Sequence, residues 1–269
     1  MLRTPRELRS ERELAAMRKA GLLVWGAHQA MAARIRPGVT TAELDAVAEA
    51  YFAEHGAAPL FKNFPHAQPG RPPFPAVTCI SINEEVVHGI PGPRRLKEGD
   101  IVSVDTGCRL GGWCGDAAAT YAVGKVEPAK QRLIDVTRNV LELAIALMGR
   151  KGRWSEVAAE MEQYVRDHGF AVVEDFVGHG IGRQMHEEPQ VPNFVHRRAA
   201  RNQDFRLEPG LVIAVEPMVN MGSKSVRCLA DAWTQVTADG QPSAHFEHTI
   251  AVTAGGPLVL TAGPNGESW

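Results

Sequence analysis

Between residues 10 and 34 the apolar positions Leu14, Met17, Ala20, Leu22 and Val24 recur at helical spacing, and Arg36-Pro37-Gly38 then breaks the pattern. Thr40, followed three residues later by Glu43, is a capping-box start, which predicts a second helix running to His55-Gly56. The proline-rich stretch 59–75 reads as a loop. Short apolar runs at 77–82, 101–105 and 120–123 read as strands. From residue 128 the order begins again: a helix over 128–148, a break at 150–153, a second helix over 155–168, and strands and loops from Val172.

The repetition extends to individual residues. Glu43, Ala46, Tyr51, His55 and Gly56 align at one offset with Glu156, Ala159, Tyr164, His168 and Gly169. His88-Gly89-Ile90 answers His179-Gly180-Ile181, and Leu96-Lys97-Glu98-Gly99 with Val102-x-Val104-Asp105 answers Leu207-Glu208-Pro209-Gly210 with Ile213-x-Val215-Glu216. Asp116 and Glu247 each precede a Thr-x-Ala-Val strand, at Thr120 and Thr249. Matches in the same order point to two related helix-helix-strand halves, about 10–125 and 128–253. The expectation is an α+β fold with pseudo-two-fold symmetry in one domain spanning residues 1–269.

The candidate chemistry lies where the halves answer each other. Asp105 ends one apolar run and Glu216 ends its counterpart, and a carboxylate on a buried strand is costly unless its charge is compensated. Symmetry sets Asp105 and Glu216 on opposite sides of one centre, with Asp116 and Glu247 at the starts of the following strands. His179 comes from the turn Gly178-His179-Gly180-Ile181-Gly182, whose glycines allow unusual backbone conformations and close approach. A phosphate loop would need Gly-x-Gly-x-x-Gly before a helix, which this spacing fails. Four carboxylates and one imidazole favour Mn²⁺, Fe²⁺ or Co²⁺ over a thiolate zinc site. Two such ions would let a bridging water lose a proton near neutral pH and attack a carbonyl.

Composition excludes several alternatives. At 269 residues, with 44% hydrophobic and 22% charged residues, the chain is neither disordered nor fibrous. A net charge of -2 gives no reason to expect nucleic acid or an acidic membrane as partner. The arginine- and glutamate-rich start, residues 1–12, is no signal peptide, and no apolar run reaches membrane-spanning length. The cysteines, 79, 108, 114 and 228, form neither a Cys-x-x-Cys pair nor a disulfide framework. The reading is a cytoplasmic protein.

Several motifs together resemble the type I methionine aminopeptidases of the pita-bread metallopeptidase fold. They are Asn83-Glu84-Glu85-Val86-Val87-His88-Gly89-Ile90-Pro91, Asp105 with Asp116, the glycine stretch around His179 with His186-Glu187-Glu188-Pro189, Val215-Glu216-Pro217-Met218, and Phe246-Glu247-His248-Thr249. The resemblance covers about residues 10–253. It implies a curved antiparallel sheet with helices outside, and two metal ions on Asp105, Asp116, His179, Glu216 and Glu247, the five residues that the symmetry argument reached. It further implies that Asp116 and Glu247 bridge the ions and that Glu216 shuttles the proton. His88 and His186 would bind the substrate backbone and stabilise the oxyanion, while Cys79, Met185 and Trp233 would line a methionine pocket.

The implied activity is removal of the N-terminal methionine from nascent polypeptides whose second residue is small. The expected enzyme is a monomer, and binding to the ribosome by its catalytic surface is left open. Three positions depart from the family pattern: Val87, where cysteine is common; Cys114, where histidine is common; and the rim Phe61-Lys62-Asn63-Phe64-Pro65 with its extra loop to Phe74-Pro75. A proline-directed peptidase of the same fold would share all five ligands, but usually follows a long N-terminal domain and fits Val-Val-His-Gly-Ile-Pro-Gly less well. A non-catalytic binding relative would lack the ligands that this chain keeps.

Overall fold

The computed structural model describes residues 7–195 and 204–269, so residues 1–6 of the arginine- and glutamate-rich start lie outside it. Helices α1 (Glu11–Ala32) and α2 (Thr41–Glu54) are followed by strands β1 (Ala58–Pro59), β2 (Thr78–Ile82), β3 (Glu85–Val87), β4 (Ile101–Leu110) and β5 (Trp113–Ala122). Helices α3 (Pro128–Met148) and α4 (Trp154–Asp167) precede β6 (Ala171–Val172), β7 (Gly178–Gly180), β8 (Glu187–Val191), β9 (Val212–Val215) and β10 (Met218–Asn220). The chain closes with β11 (Val226–Cys228), β12 (Gln235–Thr237), β13 (Ser243–His245), β14 (Glu247–Thr253) and β15 (Gly256–Val259).

The helix starts follow the predicted chemistry. Thr40 Oγ1 accepts from the Glu43 N–H at 3.2 Å while the Glu43 carboxylate accepts from the Thr40 N–H at 2.7 Å, which pairs two of the amides that a helix start leaves free. Pro128 opens α3, where its missing N–H costs nothing.

Two strands are longer than expected. Asp105 lies in the middle of β4, not at a strand end, and Asp116 lies inside β5, not at its start. The cause is Gly111-Gly112, both at positive φ (57° and 80°), which joins β4 to β5 as a tight hairpin with Leu110 opposite Trp113. Pairing through that hairpin holds Thr106 to Leu110 and Trp113 to Ala119 in strand conformation, although their small and polar residues do not alternate clearly.

The main sheet of the described residues runs β1-β4-β5-β14-β9-β7-β8, with β2 added on β4 and β15 on β14, and every pairing in it is antiparallel. One face is covered by helices: Val102, Val104, Cys108 and Ala117 pack in the cluster that contains residues of α1 and α2, and Ile213, Val215, Ile250 and Val252 in the cluster of α3 and α4. Side chains one residue out of phase with these must point to the other face. That face carries the chemistry.

Candidate metal centre and pocket

Strand register assembles the acids. Asp105 on β4 is opposite Ala118 on β5, and Ala118 is opposite Glu247 on β14, so both carboxylates share one face with the small alanine between them. Asp116 is two residues from Ala118 and so points the same way. His248 pairs with Val215; one step further along that register Glu216, just past β9, stands beside Glu247. Gly180 pairs with Ile213, so His179 projects to the face of Ala214 and Glu216.

Glycine makes the room. Gly107 is opposite Asp116, and a Cβ there would lie 2.7 Å from Asp116 Oδ1. His179 sits on a short strand rather than on the predicted turn, and none of Gly178, Gly180 and Gly182 has positive φ. They are needed for close approach: a Cβ on Gly178 would meet the Ala214 carbonyl at 2.3 Å, and one on Gly180 the Glu188 carbonyl at 2.2 Å. β7 can lie between β8 and β9 only without side chains at those two positions.

The cluster faces a cavity of about 260 Å³ lined by all ten residues expected from the sequence: Asp105, Asp116, His179, Glu216 and Glu247, then His88, His186, Cys79, Met185 and Trp233. Phe61, Phe64 and Phe74 of the proline-rich rim also line it, as does Val87. Cys114 does not; its thiol turns to the Arg183 carbonyl at 3.6 Å. Trp233 is held over the cavity by its indole N–H, which donates to the Pro72 carbonyl at 3.1 Å, and its ring meets Phe74 edge-on at 5.2 Å.

The histidines are fixed from behind. His88 has φ of 59°, a strained conformation for a residue with a side chain, and is followed by Gly89, where a Cβ would lie 2.2 Å from the Ile80 carbonyl. His186 follows a turn whose amides at Arg183 and Gln184 donate to the Glu187 carboxylate at 2.8 and 3.0 Å. Arg9 donates to the other oxygen of that carboxylate at 2.5 Å. The His186 ring stands edge-on to His179 at 4.4 Å and to Phe64 at 5.3 Å.

Electrostatically the cluster lacks a cation. Among the described residues no lysine or arginine lines the cavity, and burial, with the neighbouring acids, pushes Asp105, Glu216 and Glu247 well above the usual carboxylate range. Burial raises Asp116 to about 7. His179 is pushed down to about 3, mainly by burial, and its Nδ1–H donates to the Gly180 carbonyl at 2.9 Å. That tautomer leaves the Nε2 lone pair facing Glu216 Oε1 at 3.6 Å.

A lone pair set against carboxylate oxygens is the arrangement that a divalent ion satisfies. One oxygen on each of Asp105, Asp116 and Glu247 is buried with no hydrogen-bond partner, and ligand atoms of Asp116, His179 and Glu247 lie within 4.8 Å of one another. The residues fit hard or borderline divalent ions.

Sequence reading missed His245. It is 2% exposed and lines the cavity, and its Nε2, without a hydrogen-bond partner, lies 3.8 Å from Glu216 Oε2. It stands two residues before Glu247, a period-two spacing that could have pointed to it. Phe176 and Met218, also in the lining, carried no such signal.

The model of metallopeptidase family M24 matches residues 15–254. Fold and site therefore define a metallopeptidase. A methionine aminopeptidase of Clostridium perfringens is 46% identical over 94% of this chain and 98% of its own, and methionine aminopeptidase 1 of Bacillus subtilis is 44% identical over the same shares. The crystal structure of a Thermotoga maritima methionine aminopeptidase superposes with a TM-score of 0.88 at 39% identity, covering 96% of this chain and 99% of that one. The chain belongs to metallopeptidase family M24, within its methionine aminopeptidases.

Proposed function

We propose that this enzyme removes the N-terminal methionine from nascent polypeptides whose second residue is small, and that it does so as a monomer in the cytoplasm. The observation that carries this reading is the meeting of two surfaces in one cavity. An apolar, polarisable wall of Cys79, Met185, Trp233, Phe61 and Phe74 runs directly into the acid cluster. Sulfur and aromatic groups suit a thioether side chain, and the cavity lies below the roughly 300–1,000 Å³ of pockets that enclose drug-sized ligands, which suits one residue of a peptide end.

Asp105, Asp116, His179, Glu216 and Glu247 would hold two divalent ions, manganese, iron(II) or cobalt. When bound, the ions supply compensating charge, an acidified water and a polarised carbonyl. The protein's own groups do the rest. Glu216 takes the proton released by water and returns it to the departing amine nitrogen. His88 and His186, kept neutral by burial, donate to the substrate carbonyl as negative charge develops on its oxygen. The acid end of the cavity also favours a free α-amino group over a blocked one, which brings extra bulk and no basic nitrogen.

The two halves, about 10–125 and 128–253, form one catalytic domain in this reading. The hydrogen-bonded pair β5·β14, each strand carrying one of the acids proposed to hold metal, supports the duplication. The test is cleavage of Met-Ala-Ser, Met-Lys-Ser and Ala-Pro-Ser after chelation, with Mn²⁺, Fe²⁺ or Co²⁺ returned in turn. Release of methionine from Met-Ala-Ser alone is expected. Preference for Ala-Pro-Ser would replace this reading with a proline-directed peptidase.

A further inference from the structure

The Glu216 carboxylate lies between two imidazoles. Its Oε1 faces His179 Nε2 at 3.6 Å and its Oε2 faces His245 Nε2 at 3.8 Å. The first imidazole belongs with the proposed metal ligands. The second has no assigned part, and three observations distinguish it.

His245 is not among the five residues proposed to hold metal. Its Nε2 is buried and has no hydrogen-bond partner, which in a protein interior costs about 1–3 kcal/mol unless something in the working site pairs with it. Its backbone is also clamped from a neighbouring strand. The Thr120 hydroxyl accepts from the His245 N–H at 2.9 Å and donates to its carbonyl at 2.8 Å, and the Ser103 hydroxyl is 2.8 Å from that of Thr120. Pairing of His245 with Met218 adds a second constraint, two residues from Glu216. A backbone held this firmly sets the imidazole where its free Nε2 faces one carboxylate oxygen.

We propose that His245 is a positioning residue for Glu216, its Nε2–H donating to Oε2 and so fixing the rotation of the carboxylate. Oε1 is then left toward His179 and the metal centre. Closing the 3.8 Å gap to the ~2.9 Å of an N–H···O bond takes about an ångström of side-chain rotation. Without the donor, the carboxylate can turn either oxygen to either neighbour, and the geometry for taking and returning a proton is populated only part of the time. This inference rests on the proposed aminopeptidase reaction, in which Glu216 carries that proton.

The experiment compares wild type, His245→Ala and His245→Gln, with circular dichroism and melting temperature as controls for folding. Each protein is measured for kcat and KM on Met-Ala-Ser with Mn²⁺, and for Mn²⁺ affinity by titration calorimetry of the metal-free protein. In His245→Ala, kcat should fall about 10- to 100-fold while KM and Mn²⁺ affinity stay within about twofold of wild type. His245→Gln, whose amide restores a donor, should recover most of the loss. Mn²⁺ affinity falling in parallel with kcat would overturn the proposal and make His245 a ligand. Unchanged kcat in the alanine variant, or a glutamine variant as slow as alanine, would also overturn it. Wild type that fails to cleave Met-Ala-Ser would sink the aminopeptidase reading itself, and that result is distinct from all the others.

Discussion

The indole Nε1–H of Trp269 donates to the backbone carbonyl of Glu247 at 3.1 Å, tying residue 269 to the strand that carries one of the acids proposed to hold metal. The ring lies almost parallel to His248, at 5.1 Å and 12°, and 4.7 Å from both Trp25 and His28. His248 is held in turn by Thr261 Oγ1 at 2.8 Å and Ser268 Oγ at 3.1 Å. Residues 260–269 therefore brace β14 from the helix side while Glu247 points to the cavity.

Trp269→Ala removes both the stacking and the hydrogen bond. The ring is only half-buried, so the expected loss is about 2 kcal/mol, below the roughly 3–5 kcal/mol of a core tryptophan. Trp269→Phe keeps most of the stack and should cost about 1 kcal/mol. Urea unfolding of the metal-free protein measures both. Equal losses in the two variants would show that the N–H, not the ring, holds the segment.

Activity should depend strictly on divalent metal, because among the described residues no serine or cysteine lies in the cavity with a histidine and an acid in nucleophilic order. Cys79, the cysteine that lines it, is buried, and burial pushes its thiol well above the ordinary value. Chelation should abolish methionine release and added Mn²⁺, Fe²⁺ or Co²⁺ should restore it. Full turnover by protein shown by elemental analysis to be metal-free would refute the site.

Glu216→Gln keeps the shape of the side chain and removes its base, so turnover should fall about 100-fold or more. His88→Ala leaves all five proposed ligands intact and should lower kcat at unchanged metal content. Elemental analysis beside steady-state kinetics separates the two effects, and loss of metal from the His88 variant would make it a ligand.

His28 gives the fold an acid-sensitive point away from the cavity. It is fully buried, with Nε2 donating to the Ala117 carbonyl at 2.9 Å, so Nδ1 accepts from the Tyr121 hydroxyl at 3.1 Å. Burial lowers its pKa from 6.5 to about 4. Between those values the unfolded chain takes a proton that the folded one refuses. The contribution is thus complete above about pH 6.5 and is lost as pH falls toward 4, by about 3 kcal/mol in all. His28→Gln should flatten that part of the stability curve, measured by urea unfolding from pH 7 to 4. An unchanged slope would rule this origin out.

The proposed ligands were legible because each sits in a short motif whose counterpart recurs at a corresponding place in the other half. Asp105 and Glu216 end matched apolar runs, and Asp116 and Glu247 precede matched Thr-x-Ala-Val strands. Strand extent is not legible, because Ala117 to Ala119 and Gly107 are all buried and show no alternation, and Gly111-Gly112 between the strands is the one local mark of the hairpin. The glycines around His179 were read for backbone freedom, whereas the structure uses them for close strand packing. His245 was hidden for a different reason. Its spacing of two from Glu247 hints at a shared face, but a histidine beside a motif carries no mark of its burial, and the fold is what sets it against Glu216.

Selectivity follows from the two ends of the cavity. In the proposed reading the acid end takes a free α-amino group, so an N-acetylated peptide should not be cut. The first side chain then lies along Cys79, Met185, Trp233 and the Phe61 and Phe74 rings, which present no charged group to a lysine and leave a glycine's share of apolar contact unmade. The second residue would meet the histidine wall, where His186 is packed edge-on against Phe64 and His88 against Phe176, at 5.3 and 5.5 Å, leaving little space to yield. Met-Ala, Met-Gly and Met-Ser peptides should therefore be cut, and Met-Lys and Met-Leu peptides far more slowly. Norleucine in first position should be cut nearly as well as methionine, since a small change in an apolar pocket is worth only about 1–3 kcal/mol. Trp233→Ala, which opens the rim, should raise KM for Met-Ala-Ser more than it lowers kcat, and should narrow the gap between methionine and smaller first residues. Steady-state kinetics on this peptide series decides the matter, and equal rates for Met-Ala-Ser and Met-Leu-Ser would refute the histidine wall as the selector.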